Sequence, residues 1–158
     1  MPKITPFLWF NDQAEEAANH YVSIFKNSKV LRVTRYGEGG PGPRGAVMTV
    51  EFELDGQKFT ALNGGPHFTF NPAISFVVNC ETQQELDAYW EKLSAGGDPA
   101  AQQCGWLADK FGLSWQIVPS ILPKLLEGDQ AKSNRVMQAL MPMKKLDIAT
   151  LKRASEAA

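Results

Sequence analysis

The chain has 158 residues, 44% of them apolar, enough for one domain with a sizeable interior or for two small halves sharing a core. Sixteen basic residues against seventeen acidic ones give a net charge of -1, so no strong field favours nucleic acid or an anionic membrane as a partner. Cys80 and Cys104 lack CxxC spacing and read as free thiols, and no apolar run approaches the length of a membrane span or forms a signal peptide, so the expected location is the cytoplasm.

Ile4 to Phe10 is rich in large apolar residues and reads as a strand ended by Asn11-Asp12. Asp12 and Glu15 stand at capping-box spacing, and Ala14, Ala17, Ala18, Tyr21, Val22 and Phe25 then recur with helical period, predicting a helix to about Phe25. His20 lies off that stripe and is expected in solvent. Strands follow over Val30 to Tyr36, Ala46 to Leu54 and Gln57 to Leu62, the last two joined by an Asp55-Gly56 turn of type I′. The intervening Gly37 to Gly45, GEGGPGPRG, predicts a mobile loop of the kind that covers sites.

The same order then repeats. Ile74 to Val78 predicts a strand, Thr82 and Glu85 form a capping box, Leu86, Tyr89, Trp90 and Leu93 make a buried stripe, and Gly96-Gly97 ends the helix. With the two caps superposed, Ile4 falls on Ile74 and Thr5 on Ser75. Gln102 to Asp109 and Leu113 to Val118 predict further strands around an Asp109 to Gly112 turn, whereas Ala95 to Ala101 signals a strand only weakly. Beyond Pro119, helices are predicted over Ser120 to Leu126, Asp129 to Leu140 and Asp147 to about Ala154, as a tail that shields a sheet edge or joins a dimer contact. The expected architecture is α+β, one domain over residues 1–158 made of two βαβββ modules, about 1–70 and 71–119, with a helical tail over about 120–158.

The stretches ITPFLWFND, LNGGP (62–66), NPAISFVVNCET (71–82) and CGWLADKFGLSWQIVP (104–119) resemble the PhnB-like subgroup of the vicinal oxygen chelate superfamily, which includes glyoxalase I, bleomycin-resistance proteins and extradiol dioxygenases. The resemblance implies two modules curled into an open barrel around a cavity. It also implies that metal-dependent members would carry His, Gln or Glu ligands on the first and last strand of each module. Here the matching positions hold Thr5, Ser75 and Gln116, with the fourth at Ala61 or Asn63. Neutral hydroxyl and amide oxygens are weak ligands for a divalent ion, so no catalytic metal and no cofactor is expected.

These residues suit a small organic ligand instead. Thr5, Asn63, Ser75 and Gln116 offer hydrogen bonds, and Phe7, Trp9, Phe59 and Trp115 are candidate cavity walls or plain core. His67 is a candidate general base or a structural loop histidine, and Cys104 is expected as a packed thiol. Exposed sheet edges predict a homodimer with the cavity completed at its interface. Two rival readings are a metal-dependent lyase or dioxygenase of the same superfamily, and the methyltransferase that the subgroup's common label, demethylubiquinone methyltransferase, implies. Against methyl transfer, Gly37 to Gly45 leads into a strand rather than a helix, which is the wrong setting for a nucleotide-binding turn.

Overall fold

Alternating burial along strands, set against a helical stripe of alanines and one tyrosine, builds the first of two units, Met1–Phe70 and Asn71–Ala158, in the computed structural model, which describes residues 2–157. In the first unit β1 (Phe7–Phe10), α1 (Ala14–Ile24), β2 (Lys29–Arg35), β3 (Val47–Leu54) and β4 (Gln57–Asn63) form a sheet of order β1-β4-β3-β2 with one helix packed on it. β1 runs parallel to β4, and the remaining pairs are antiparallel. Asp55 (φ 45°) and Gly56 (φ 86°) make the expected turn between β3 and β4, glycine supplying the left-handed backbone at no steric cost.

Tyr21 of α1 stacks over Phe52 of β3 at 6.2 Å, and Phe52 stacks on Phe59 of β4 at 5.3 Å. Ala14, Ala17 and Ala18 are fully buried; their small side chains let the helix backbone approach the sheet. The opposite face is more polar. There Arg32 pairs with Glu51 at 2.5 Å and the hydroxyls of Thr34 and Thr49 meet at 2.6 Å. β1 starts at Phe7 rather than Ile4, because Pro6 has no N–H to give a ladder and only its carbonyl is used, accepting from Thr60 N.

The cap of α1 differs from the Asp12–Glu15 box read in the sequence. Gln13 is the N-cap and makes no side-chain cap bond; the carbonyl oxygen of Asn63, at the end of β4, accepts from Ala14 N at 2.8 Å. A donor that a local side chain would otherwise satisfy is thus met by one that tertiary folding delivers. His20 is half-buried beside Tyr21 rather than free in solvent, since the helix turns its ring along the tyrosine at 5.8 Å.

The second unit contains β5 (Ser75–Cys80), α2 (Gln83–Ser94), β6 (Trp106–Ala108), β7 (Ser114–Pro119), α3 (Leu122–Leu126), α4 (Gln130–Leu140) and α5 (Ile148–Glu156). Its sheet has order β5-β7-β6, with β5 parallel to β7. The box at α2 forms: Thr82 Oγ1 accepts from Glu85 N at 3.1 Å.

The weakly signalled strand before β6 is a 3-10 turn over Pro99–Ala101, so this module shows three strands among the described residues where the first has four. Pro99 removes a ladder donor, and Gly97 lies so close to β6 that an added Cβ would sit 2.0 Å from the Ala108 carbonyl oxygen. The strand read from Gln102 to Asp109 is also broken. Gln103 and Trp106 exchange backbone hydrogen bonds across Cys104 (φ 54°) and Gly105 (φ 87°), a two-residue I′-type turn that leaves only Trp106–Ala108 in the ladder.

The helical tail is fastened to the rest of this unit by directional bonds. Gln83 donates to the Leu146 carbonyl and accepts from Ile148 N, while Cys104 N and Gly105 N donate to the carbonyls of Met143 and Lys144. Lys145 pairs with Asp87 at 3.0 Å; hydrogen bonds from Gln83 and Lys145 lower the Asp87 pKa. Leu146 and Leu151 are fully buried. The tail is a built part of the unit.

Candidate functional site

The ladders decide which side chains share a face. Phe7 pairs with Thr60 and Val77 pairs with Gln116, and the seventy-residue repeat that carries Thr5 to Ser75 carries Phe7 to Val77. Thr60 is therefore the counterpart of Gln116. Neither Ala61 nor Asn63, the two positions left open by the sequence, occupies that place: Ala61 is fully buried against α1 and Asn63 ties secondary structure together. The reason is strand parity, since a one-residue change of register moves a side chain to the other face.

The same parity sorts the expected wall residues. Leu8 and Phe10 are buried on the helix side, so Phe7, which is 60% exposed, and half-buried Trp9 lie on the opposite face, with exposed Thr5 just ahead of the strand. Of the two readings open for Phe59 and Trp115, cavity wall or plain core, their burial is that of core. Phe59 lies beneath Phe52, and Trp115 packs at 5.7 Å from Phe76 while its indole N–H donates to Asp109 Oδ2 at 2.8 Å. Asp109, which reads in the sequence as an ordinary turn residue, is 2% exposed and also accepts from Phe111 N and Leu113 N. A turn aspartate six residues before a tryptophan was the signal available for this contact.

Each unit carries a groove. In the first, a cavity of about 540 Å³ opens between the start of α1, the Gly-Pro loop and the Asn63–His67 segment. Asn63 donates to the Val47 carbonyl and accepts from Ala14 N, and its own backbone carbonyl accepts from the Tyr36 hydroxyl at 2.5 Å. The loop folds over the Tyr36 ring; a Cβ at Gly42 would lie 2.3 Å from that ring, so this close approach requires glycine. His67 is exposed on the groove wall with Asp12 and Glu15, and its ring is 6.4 Å from Trp9, whose indole N–H donates to the Gly65 carbonyl.

In the second unit an open groove of about 590 Å³ lies on the face of β6 and β7 away from α2, with α3 and α4 along its side. Gln116 is on its wall. The Gln116 amide donates to Ser75 Oγ at 2.9 Å, so two of the expected ligand-binding residues do meet, on adjacent parallel strands. Around them stand Trp106, Val118, Leu122, Leu126, Met137 and Leu140. At one end Cys104 Sγ lies 3.1 Å from the Met141 carbonyl oxygen, and Gln103 donates to the same oxygen. Cys104 is half-exposed, whereas Cys80 is fully buried, and its burial, with Glu85 and Glu81 nearby, pushes the thiol pKa up to about 12.

Two repeated α+β modules, each pairing its first strand in parallel with its last, have the arrangement that the resemblance to the vicinal oxygen chelate class implies. The family described as 3-demethylubiquinone-9 3-methyltransferase matches residues 2–118, and the chain belongs to that family, the PhnB-like branch of the class. A PhnB protein of Bacillus cereus, provisionally described as a 3-demethylubiquinone-9 3-methyltransferase, is 41% identical, with 75% of this chain and 99% of that one covered and a TM-score of 0.65. Protein PA1353 of Pseudomonas aeruginosa shares the fold at 19% identity and a TM-score of 0.59, over 75% of this chain and 98% of that one. A glyoxylase/bleomycin resistance protein/dioxygenase domain from Frankia sp. EAN1pec is similar at 14% identity and a TM-score of 0.47, over 75% and 92%. No curated protein matches the chain.

The residues present do not fit the metal that the class implies. Among the described residues no three His, Cys, Asp or Glu side chains are grouped as ion ligands, and Thr5, Thr60, Ser75 and Gln116 offer only neutral oxygens and one amide. They also do not form the cradle for S-adenosylmethionine that the family description implies. The Gly-rich loop joins β2 to β3, and the β1–α1 connection Asn11-Asp12-Gln13 contains no glycine and leads into a first helical turn that carries Glu15 and Glu16.

Proposed function

We propose that this PhnB-like chain binds a small organic molecule without a divalent metal, in the groove of its second module. The observation that carries this reading is Gln116. It stands where the resemblance would put a ligand on the last strand, its amide donates to Ser75, and it faces a groove of a size suited to small ligands. Elemental analysis of untagged protein is the test: the expected result is less than about 0.1 equivalent of Mn, Fe, Ni or Zn per chain, whereas about one equivalent sinks the metal-free reading. Thermal-shift screening of a small-molecule library, repeated on Gln116→Leu, should reveal ligands whose effect that substitution removes.

The same reading includes a homodimer in the cytoplasm. β1 and β5 are edge strands, and apolar side chains are exposed at repeat-related positions, Phe7 with Val77 within them and Ile4 with Ile74 just ahead of them. Light scattering behind size exclusion should give twice the chain mass of 17.4 kDa, and a monomer at about 100 μM would refute the dimer.

A further inference from the structure

We propose that the groove of the second unit selects an uncharged, mainly apolar small molecule bearing one hydroxyl or N–H group, and that the appended helices set this preference. The inference rests on the proposed ligand-binding role of Gln116 and names the ligand class.

The first support is the composition of the wall. Among the described residues lining the groove none is charged, and the polar groups are the amides of Gln103 and Gln116, the Cys104 thiol and the indole of Trp106. A ligand charge placed there would lose water without gaining a counter-charge, which is expensive in an apolar setting. The second support is the geometry of one amide. One N–H of Gln116 Nε2 donates to Ser75 Oγ, and among the described residues Gln116 Oε1 takes no hydrogen bond. An unused carbonyl oxygen on an apolar wall accepts from a ligand donor; a ligand with acceptors alone leaves it unsatisfied.

The third support is the origin of the wall. Gln103, Trp106, Gln116 and Val118 fall within the family match, whereas Leu122, Leu126, Met137, Leu140 and Met141 lie beyond its end at residue 118. The Bacillus cereus relative is covered over 99% of its length by 75% of this chain, so a quarter of the present chain has no counterpart there. The apolar half of the groove is thus an addition to the family fold. It is held by the Gln83, Cys104 and Gly105 bonds to residues 143–148. Two of its members are methionines at the rim, 39% and 53% exposed, whose unbranched side chains adapt to ligands of different shape.

A matched pair of probes tests the class on the full chain. N-phenyl-1-naphthylamine is neutral with one N–H, and 8-anilino-1-naphthalenesulfonate has the same skeleton with a fixed negative charge. The expected result is one neutral probe per chain, bound at least about tenfold tighter than the sulfonate, with Met137→Lys and Met141→Lys each weakening it about tenfold. Both methionines are partly exposed, so these variants should fold, and circular dichroism checks that. Iodoacetamide gives a second readout, because Cys104 is the reachable thiol while Cys80 is buried: bound neutral probe should slow Cys104 alkylation about tenfold. Equal or tighter binding of the sulfonate, or no effect of either lysine, overturns the inference. So does alkylation that slows with protein concentration alone, since a second copy of the chain then covers the groove. If the neutral probe fails while other library compounds bind in a Gln116-dependent way, the ligand class is wrong and the binding reading stands; if nothing binds, both fall.

Discussion

Replacing Asp109 with alanine is expected to lower the unfolding free energy by about 3–5 kcal/mol, measured by urea denaturation. The carboxylate is 2% exposed and accepts from Phe111 N, Leu113 N and Trp115 Nε1, so its removal strands three donors in a place water does not reach easily. Asp109→Asn keeps one oxygen for part of this set but sets an N–H₂ against the remaining donors, and should cost about 1–3 kcal/mol. Because Trp115 reports on the same contact, its fluorescence should change in both folded variants. A loss below about 1 kcal/mol in the alanine variant would show that the three bonds do not support the β6–β7 hairpin.

Asn63→Ala should cost about 2–4 kcal/mol, since it removes the acceptor for Ala14 N and the donor to the Val47 carbonyl together. Asn63→Asp separates the two roles. It retains an acceptor at the start of α1, where negative charge is favoured, and loses only the donor, so it should recover roughly half of the loss. Binding of the neutral probe by the second unit should not change in either variant. Unaltered stability together with lost ligand binding would return Asn63 to the ligand-contacting role read from the sequence.

Local chemistry was legible wherever a residue's partner lies a few positions away. Thr82 and Glu85, Asp55-Gly56 and, apart from half-buried Tyr89, the stripe of Leu86, Tyr89, Trp90 and Leu93 behave as their spacing predicts, because capping, turn dihedrals and helical period are properties of short segments. Cys104-Gly105 misled for a related reason. An apolar run around a single Gly reads as strand, yet here a cysteine takes left-handed backbone because two tail carbonyls accept from the turn's outward N–H groups. The candidate site was legible in part. The repeat aligned Thr5 with Ser75 and the family pattern singled out Gln116, and the hydrogen bond between Ser75 and Gln116 came only with strand pairing. Choosing between wall and core for Phe59 and Trp115 required knowledge of face, which a register uncertain by one or two residues does not supply.

By itself the sequence determined that this is a duplicated α+β chain of the PhnB-like family with hydroxyl and amide side chains at Thr5, Ser75 and Gln116, because hydrophobic period, caps and family motifs are written in residue order. The tertiary structure alone decided that Thr60 rather than Ala61 or Asn63 is the counterpart of Gln116, that Asn63 caps α1 from forty-nine residues away, and that the tail helices line a groove. Each of these depends on which strands pair and where a distant backbone group arrives, and the energy that settles them comes from contacts between segments far apart in the chain.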